Sequence, residues 1–360
     1  MLFKISFISL LIILVFLIST LSINVYRKFI LTYRIFGKSK RRDLHKTPIP
    51  NSSGIVFLFV FIVSLFTIES FINIRELLII VIGAIIVCLN GFWDDLKIIN
   101  PYQKLFYQFI AVVMVVYYND LAVYNLHGFI GIGIIPYWLG FGFAIFIGLF
   151  MINSFNLIDG IDSLAGTTAI LSFVAYGVLF WILNYKGYFG ICVIMIGVIL
   201  SYLPYNLSKK NKVLMGDSGA LFIGYMLFIM SMLVVNNNEP IIDRLIDRTI
   251  LPIAPMAIFI LPMVDSFSVY TYRLYKGESP FVPDSYHIHH LVLAVTKSHL
   301  MASIIINLFC LFFLVVFSYL AFNIDSNTYI ILFFVLFSLM VILSYACRLI
   351  LKQKQFYIKK

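Results

Sequence analysis

The sequence predicts an all-α polytopic membrane protein, and three observations carry that expectation. Of its 360 residues, 62% are hydrophobic and 12% are Asp, Glu, Lys or Arg. Its mean hydropathy is +1.02, whereas a soluble domain carries roughly a quarter charged residues. The apolar residues gather into about eleven stretches, most of them near the roughly twenty residues that a helix needs to cross a bilayer. The basic residues are divided unevenly between the loops that join these stretches.

The stretches run approximately 3–24, 54–71, 77–93, 105–119, 133–152, 165–184, 188–207, 219–236, 250–272, 300–322 and 328–347. The first has no small-residue cleavage site before Tyr26-Arg27-Lys28, so it reads as a retained helix rather than a signal peptide. With the loops numbered alternately, one set holds 21 of the 26 Lys and Arg residues. The other set holds 5: Lys4, Arg75, Lys186, Arg244 and Arg248. The richer set is therefore expected in the cytoplasm, with the N-terminus outside and the C-terminus inside. This bias, with attraction to anionic headgroups, accounts for the net charge of +10. Basic residues scattered over many loops do not make a nucleic-acid surface. Cys88, Cys192, Cys310 and Cys347 lie far apart with no CxxC spacing, and read as apolar filler. No Ser-, Gly- or Pro-rich linker divides the chain, so residues 1–360 form a single integral-membrane domain.

Against this background the sixteen acidic residues are informative. Carboxylates at a membrane edge are costly to desolvate and by default mark function. The third stretch ends in Gly-Phe-Trp-Asp94-Asp95, followed by Lys97, Lys104 and Gln108. Neighbours on a helix point about 100° apart, so the two carboxylates need not share a role. The fifth ends in Asn153, Asn156, Asp159 and Asp162 at spacings of three, which places them on one helical face. Amide and carboxylate oxygens suit Mg²⁺, and they suit a base or ribose equally. The eighth opens with Gly216-Asp217-Ser218-Gly219, preceded by Lys209, Lys210 and Lys212. An Asp there is either a helix cap or part of a phosphate site. Asp265, in the ninth stretch, is divided between helix packing and substrate contact. His287, His289 and His290 follow Asp284 without a zinc-protease order, and suit phosphate contact better than a metal. All these runs fall on the side assigned to the cytoplasm. Such one-sided clustering suits an enzyme acting on a soluble substrate. A transporter places its polar groups nearer the midplane.

Taken in order, these runs resemble the polyprenyl-phosphate N-acetylhexosamine-1-phosphate transferases of the WecA/MraY type, glycosyltransferase family 4. The matching stretches are His45-Lys-Thr-Pro48-Ile-Pro50, Asp94-Asp95 with Lys104 and Gln108, Asn153 to Gly166, Met215 to Gly219, and Ser279-Pro-Phe to His290. They span about residues 40–295, and Ser-Pro-Phe followed by His-x-His-His is closer to the WecA branch. Three places depart from the pattern. Ser208-Lys-Lys-Asn-Lys212 stands where Pro-Ala is common ahead of Met215. Asn51-Ser52-Ser53-Gly54 stands where a Gly-Gly pair is usual, and Ser163 takes a position usually held by Gly.

The resemblance implies transfer of sugar 1-phosphate from a UDP-N-acetylsugar, by default UDP-GlcNAc, to undecaprenyl phosphate with release of UMP, in the bacterial plasma membrane. It implies Mg²⁺, or Mn²⁺ in its place, held by Asp217 and Asn156. Asp94 would activate or position the lipid phosphate, supported by Asp95. Lys104, His287, His289 and His290 would hold phosphates, while Asn153, Asp159 and Asp162 would bind the nucleotide or order the metal shell. A transporter or flippase of a polyprenyl-linked sugar is the competing reading from another class.

Overall fold

The structure, a computed structural model, describes residues 2–33, 49–97, 99–237, 246–275, 277 and 287–358, with side chains described between residues 8 and 347 of these. The His45–Pro48 and Ser279–Tyr286 parts of the motifs lie outside the described residues. Among the described residues are thirteen α-helices and one two-stranded sheet. The chain runs α1 Leu2–Tyr33, α2 Gly54–Leu65, α3 Ile74–Leu96, α4 Pro101–Tyr118, β1 Asn125–Phe129, β2 Ile132–Ile134, α5 Tyr137–Ile158, α6 Leu164–Ile182 and α7 Lys186–Leu207. It continues α8 Gly216–Val235, α9 Ile253–Ile258, α10 Ile260–Tyr275, α11 Ile288–Thr296, α12 His299–Asn323 and α13 Ser326–Ile358.

Eight helices are long and apolar enough to cross a membrane: α1, α3, α5, α6, α7, α8, α12 and α13. The protein is thus a multi-pass membrane protein. Three of the expected stretches take other forms. The second holds only the 12-residue α2, followed by a 3-10 turn at Glu69–Phe71. The fourth is α4, where Asn100 caps the helix, Pro101 opens it, and Tyr102, Lys104 and Gln108 make its first half polar. The ninth is broken at Phe259 into α9 and α10. Pro262, in the first turn of α10, has no N–H to give to the carbonyl of Ile258. That carbonyl instead accepts a long hydrogen bond from Ser172 Oγ at 3.5 Å.

The expected all-α character also needs correction, because a β-hairpin joins α4 to α5. Gly128 and Gly131 adopt φ of +87° and +77°, which glycine supplies without steric cost. Pro136 precedes the first residue of α5, so that helix starts later than the apolar run suggested.

The core is arranged around α8. In its apolar window 94% of residues are buried, against 17% for α13. A helix buried on every side needs apolar residues all round, and α8 has them from Ala220 to Val235. It packs against α2, α3, α5, α6 and α9. Two glycine contacts bring its first turn close to its neighbours. A Cβ on Gly54 of α2 would overlap the Gly219 backbone, and one on Gly91 of α3 would meet the Asp217 carbonyl at 2.5 Å. The alternation of helix directions collects the ends of α3, α5 and α7 and the starts of α4, α6 and α8 at one end of the bundle.

Candidate active site

The first turn of α8 is held by Asp95. Its Oδ1 accepts from the Asp217 backbone N–H at 2.9 Å, and its Oδ2 from that of Ser218 at 3.1 Å. A carboxylate suits this place because the opening N–H groups of a helix have no partner within it, and the dipole is positive there. Asp95 Oδ1 also accepts from Asn51 Nδ2 at 3.1 Å. Gly216 must be glycine here: its φ is +72°, and a Cβ would lie 2.5 Å from both Asn51 Oδ1 and Asp95 Oδ2.

Asp94 points elsewhere, as neighbouring positions on a helix require. Its Oδ1 accepts from the Ile99 N–H at 3.0 Å, which secures the turn into α4. Its Oδ2 accepts from Lys104 Nζ at 3.1 Å, and Lys104 Nζ reaches Asp217 Oδ2 at 2.6 Å. One ammonium thus joins two carboxylates from separate helices. Lys104 is itself placed by Asn90, whose Nδ2 donates to the Lys104 carbonyl at 2.8 Å. Asp94 and Asp95 are each 6% exposed, so these ions are largely withdrawn from water. Breaking such a buried arrangement from one side leaves an uncompensated charge.

One turn along α4, the buried Gln108 accepts through Oε1 from Asn153 Nδ2 at 2.7 Å. This joins α5 to the centre. Asn156 lies one turn further along α5, half-buried. Asp159 follows as the C-cap of α5. Desolvation, then the charges of Asp217, Asp95 and Asp162, push its carboxyl up to about 7. The sequence-predicted acids therefore share one electrostatic neighbourhood. Asp162 accepts from Lys212 Nζ at 2.5 Å and lies 3.4 Å from His299 Nδ1. Beside it is a cleft of about 430 Å³ lined by Arg27, Lys209, Lys210 and Lys212.

The histidines lie against this centre through the 159–160 turn. His289 is buried where a Cβ on Gly160 would overlap its Nε2. Burial holds its imidazole down at about 3, so it is neutral. His287 Nδ1 pairs with Asp265 Oδ2 at 2.7 Å, and Asp265 Oδ1 accepts from the Ile288 N–H at 2.7 Å. Asp265 thus caps α11 and orients His287. His290 stacks obliquely on His289, with ring centroids 4.3 Å apart.

Three contributors had no assignment in the sequence reading. Asn51 holds Asp95. Asn206 accepts from the Ser163 N–H at 2.6 Å, fixing a left-handed Ser163 at the start of α6. His299 opens α12 beside Asp162. Only Asn51 left a trace in sequence, since it lies in the stretch that departs from the Gly-Gly pattern.

Among the described residues, no three His, Cys, Asp or Glu side chains converge on one point. Mg²⁺ does not need that: it favours one or two carboxylates, with water and substrate phosphate filling the rest. Asp217 fits such a place, because its carboxylate already faces one cationic group, the Lys104 ammonium at 2.6 Å, and the half-buried Asn156 of α5 offers a neutral amide oxygen of the kind Mg²⁺ accepts.

Fold and site together define a multi-pass membrane protein with a carboxylate–lysine centre at the mouth of its central helix. A family model for glycosyl transferase family 4 matches residues 77–235, from α3 to the end of α8. The undecaprenyl-phosphate alpha-N-acetylglucosaminyl 1-phosphate transferase of Salmonella typhi is 30% identical over 303 residues, covering 82% of this chain and 78% of that protein. The enzyme of the same name from Escherichia coli K12 is 30% identical over 302 residues, with the same coverage. The phospho-N-acetylmuramoyl-pentapeptide-transferase of Streptococcus sanguinis is 32% identical over 238 residues, covering 60% of this chain and 70% of that protein. The chain belongs to glycosyl transferase family 4.

Proposed function

We propose that this protein transfers N-acetylhexosamine 1-phosphate from a UDP-sugar to undecaprenyl phosphate, forming a polyprenyl-diphosphate-sugar. UDP-GlcNAc is the first donor to test, because the relatives that cover 82% of the chain bear N-acetylglucosaminyl in their names. The observation that carries the reading is the Lys104 bridge between Asp94 and Asp217 at the start of α8. Two anionic substrates meet in this reaction, and fixed cationic groups must offset their repulsion.

In the proposed step, an oxygen of the lipid phosphate forms a bond to the β-phosphorus of the donor. The bond from that phosphorus to the bridging oxygen breaks, and UMP leaves with the electron pair. Asp94 positions the lipid phosphate and takes a proton from it where one remains. Lys104 stabilises the charge that gathers on the phosphoryl oxygens. Asp217 and Asn156 would hold Mg²⁺, or Mn²⁺ in its place, which when bound offsets the charge of the diphosphate. Asn153, Asp159 and Asp162 face the nucleotide, with the basic cleft of Arg27, Lys209, Lys210 and Lys212 drawing it in. His287, His289 and His290 form the wall behind the phosphates. Asp95 acts through α8 rather than on substrate. The proposed setting is the bacterial plasma membrane, crossed about eleven times, with this end of the bundle in the cytoplasm.

The test is an assay of the purified protein with undecaprenyl phosphate, Mg²⁺ and a panel of UDP-N-acetylsugars, reading released UMP. Release with one sugar, abolished by EDTA, is the expected result and names the donor. No release with any sugar from folded protein would transfer the argument to the competing reading, a flippase for a polyprenyl-linked sugar.

A further inference from the structure

We infer that Asn51 is a positioning residue for the reaction, setting the place of Asp217 through Asp95. The inference depends on the transferase reading above, in which Asp217 serves the diphosphate end of the donor.

Asn51 precedes α2 in a loop whose own conformation is tightly determined. Ser52 is left-handed at φ +69°, which is unfavourable for a residue with a side chain and persists only where surrounding contacts impose it. Those contacts are visible on both sides. The Pro50 carbonyl accepts from the Leu214 N–H at 2.9 Å, and the Ser53 N–H donates to the Leu214 carbonyl at 3.3 Å. The loop is thereby laced to the segment that leads into α8. From the other side, the Tyr26 hydroxyl of α1 donates to the Asn51 carbonyl at 2.6 Å. From a backbone held at both faces, the Asn51 side chain reaches the junction of α3 and α8. Its Nδ2 donates to Asp95 Oδ1, and its Oδ1 lies against the Cα side of Gly216.

The consequence is a chain of contacts: Tyr26 to Asn51, Asn51 to Asp95, and Asp95 to the N–H groups of Asp217 and Ser218. Asp95 Oδ1 is shared between Asn51 and the Asp217 N–H, so movement of Asn51 alters the hydrogen bond that fixes the Asp217 backbone. The side chain of Asp217 is then set against Lys104 at 2.6 Å. An asparagine suits the post for a chemical reason. Its amide supplies an N–H to a buried carboxylate without adding a charge. Aspartate has the same shape and no such donor, and it would place a second carboxylate beside the first. Leucine or alanine would leave the Asp95 oxygen with fewer donors at a site where water is scarce.

The experiment compares Asn51→Asp, Asn51→Ala and Tyr26→Phe in the full-length protein, reconstituted with undecaprenyl phosphate and the donor. It reads kcat and KM for the donor, thermal melting, and hydrogen exchange at the start of α8. The expected result for Asn51→Ala is a fall in kcat of about tenfold, the scale of one hydrogen bond to a charged group. KM changes less than about twofold, because the groups assigned to the nucleotide, Asn153, Asp159 and Asp162 with the basic cleft, lie outside this chain of contacts. Asn51→Asp falls further than Asn51→Ala despite being isosteric, which a space-filling role for residue 51 would not produce. Tyr26→Phe keeps the amide and loosens its support, so its fall is smaller, about threefold by the same scale. It also carries the test if Asn51→Asp does not fold. The Asp217 and Ser218 amides exchange faster in all three variants. Variants that melt like the wild type and match its kcat would overturn the positioning role and leave the transferase reading intact. A wild-type protein that is folded and inactive with every donor would overturn the reading beneath it, and this inference too.

Discussion

Asp94 and Asp95 are adjacent in sequence and divide their work. Asp94 meets a lysine and faces the centre, while Asp95 is occupied by three N–H donors from the α8 start and Asn51. Substitutions at the two should therefore fail differently. A more direct probe is Lys104, whose ammonium offsets both Asp94 and Asp217. In Lys104→Gln the carboxylates keep a hydrogen-bond donor and lose the charge between them. On the proposed reaction the phosphates lose it as well, so kcat/KM should fall at least about a hundredfold, the scale of a lost charge stabiliser at a phosphoryl centre. Raising Mg²⁺ should recover part of the loss, because a cation can take up some of the exposed negative charge. Steady-state kinetics over a Mg²⁺ series would check this, and wild-type turnover by Lys104→Gln would remove the lysine from the mechanism.

At the scale of elements, the site depends on how closely α3 lies against the first turn of α8. Gly91 faces the Asp217 carbonyl and the Ser218 Cα, each at 2.5 Å from where a Cβ would sit. Those neighbours are backbone atoms and cannot rotate away. Gly91→Ala must push the two helices apart, lengthening the bonds from Asp95 to the α8 N–H groups. Overpacking of this kind costs about 1–3 kcal/mol. The expected variant inserts, melts at a lower temperature and loses most of its UMP release. Equal activity and melting would mean that the helices can separate without cost. Acidic residues at the ends of apolar runs, and amides spaced by three, marked Asp94, Asn153, Asn156, Asp159 and Asp217 because charge stands out in an apolar sequence. The contribution of Asn51 was hidden, since nothing local ties a loop asparagine to a carboxylate 44 residues away. The break between α9 and α10 was hidden for a different reason. Hydropathy averages over a window and does not register one missing N–H, although Pro262 was present to be read. The hairpin at Asn125–Ile134 fell almost wholly between the expected stretches at 105–119 and 133–152, where Gly128 and Gly131 carry the turn and no hydropathy signal marks a strand.

At the scale of the whole molecule, charge and fold make a joint statement about the membrane. The loops holding Lys209, Lys210 and Lys212 lie at the same end of the bundle as Asp94, Asp162 and Asp217, while Lys186 opens α7 at the opposite end. The positive-inside rule assigns the first group to the cytoplasm, where a nucleotide sugar would be available. The assignment is testable with single cysteines, because Cys88, Cys192 and Cys310 are buried and only Cys347 is exposed. In a Cys347→Ser background, Lys209→Cys should resist a membrane-impermeant thiol reagent in intact cells and react after permeabilisation. Lys186→Cys should react in intact cells. A reversed pattern would put the carboxylate–lysine centre outside the cell, away from any pool of UDP-sugar, and the donor proposed for this site would fail with it. Reaction of both positions from outside would instead show that α7 does not cross the bilayer, which its 22 residues at a mean hydropathy of 1.9 and its seat beside α1 and α6 argue against.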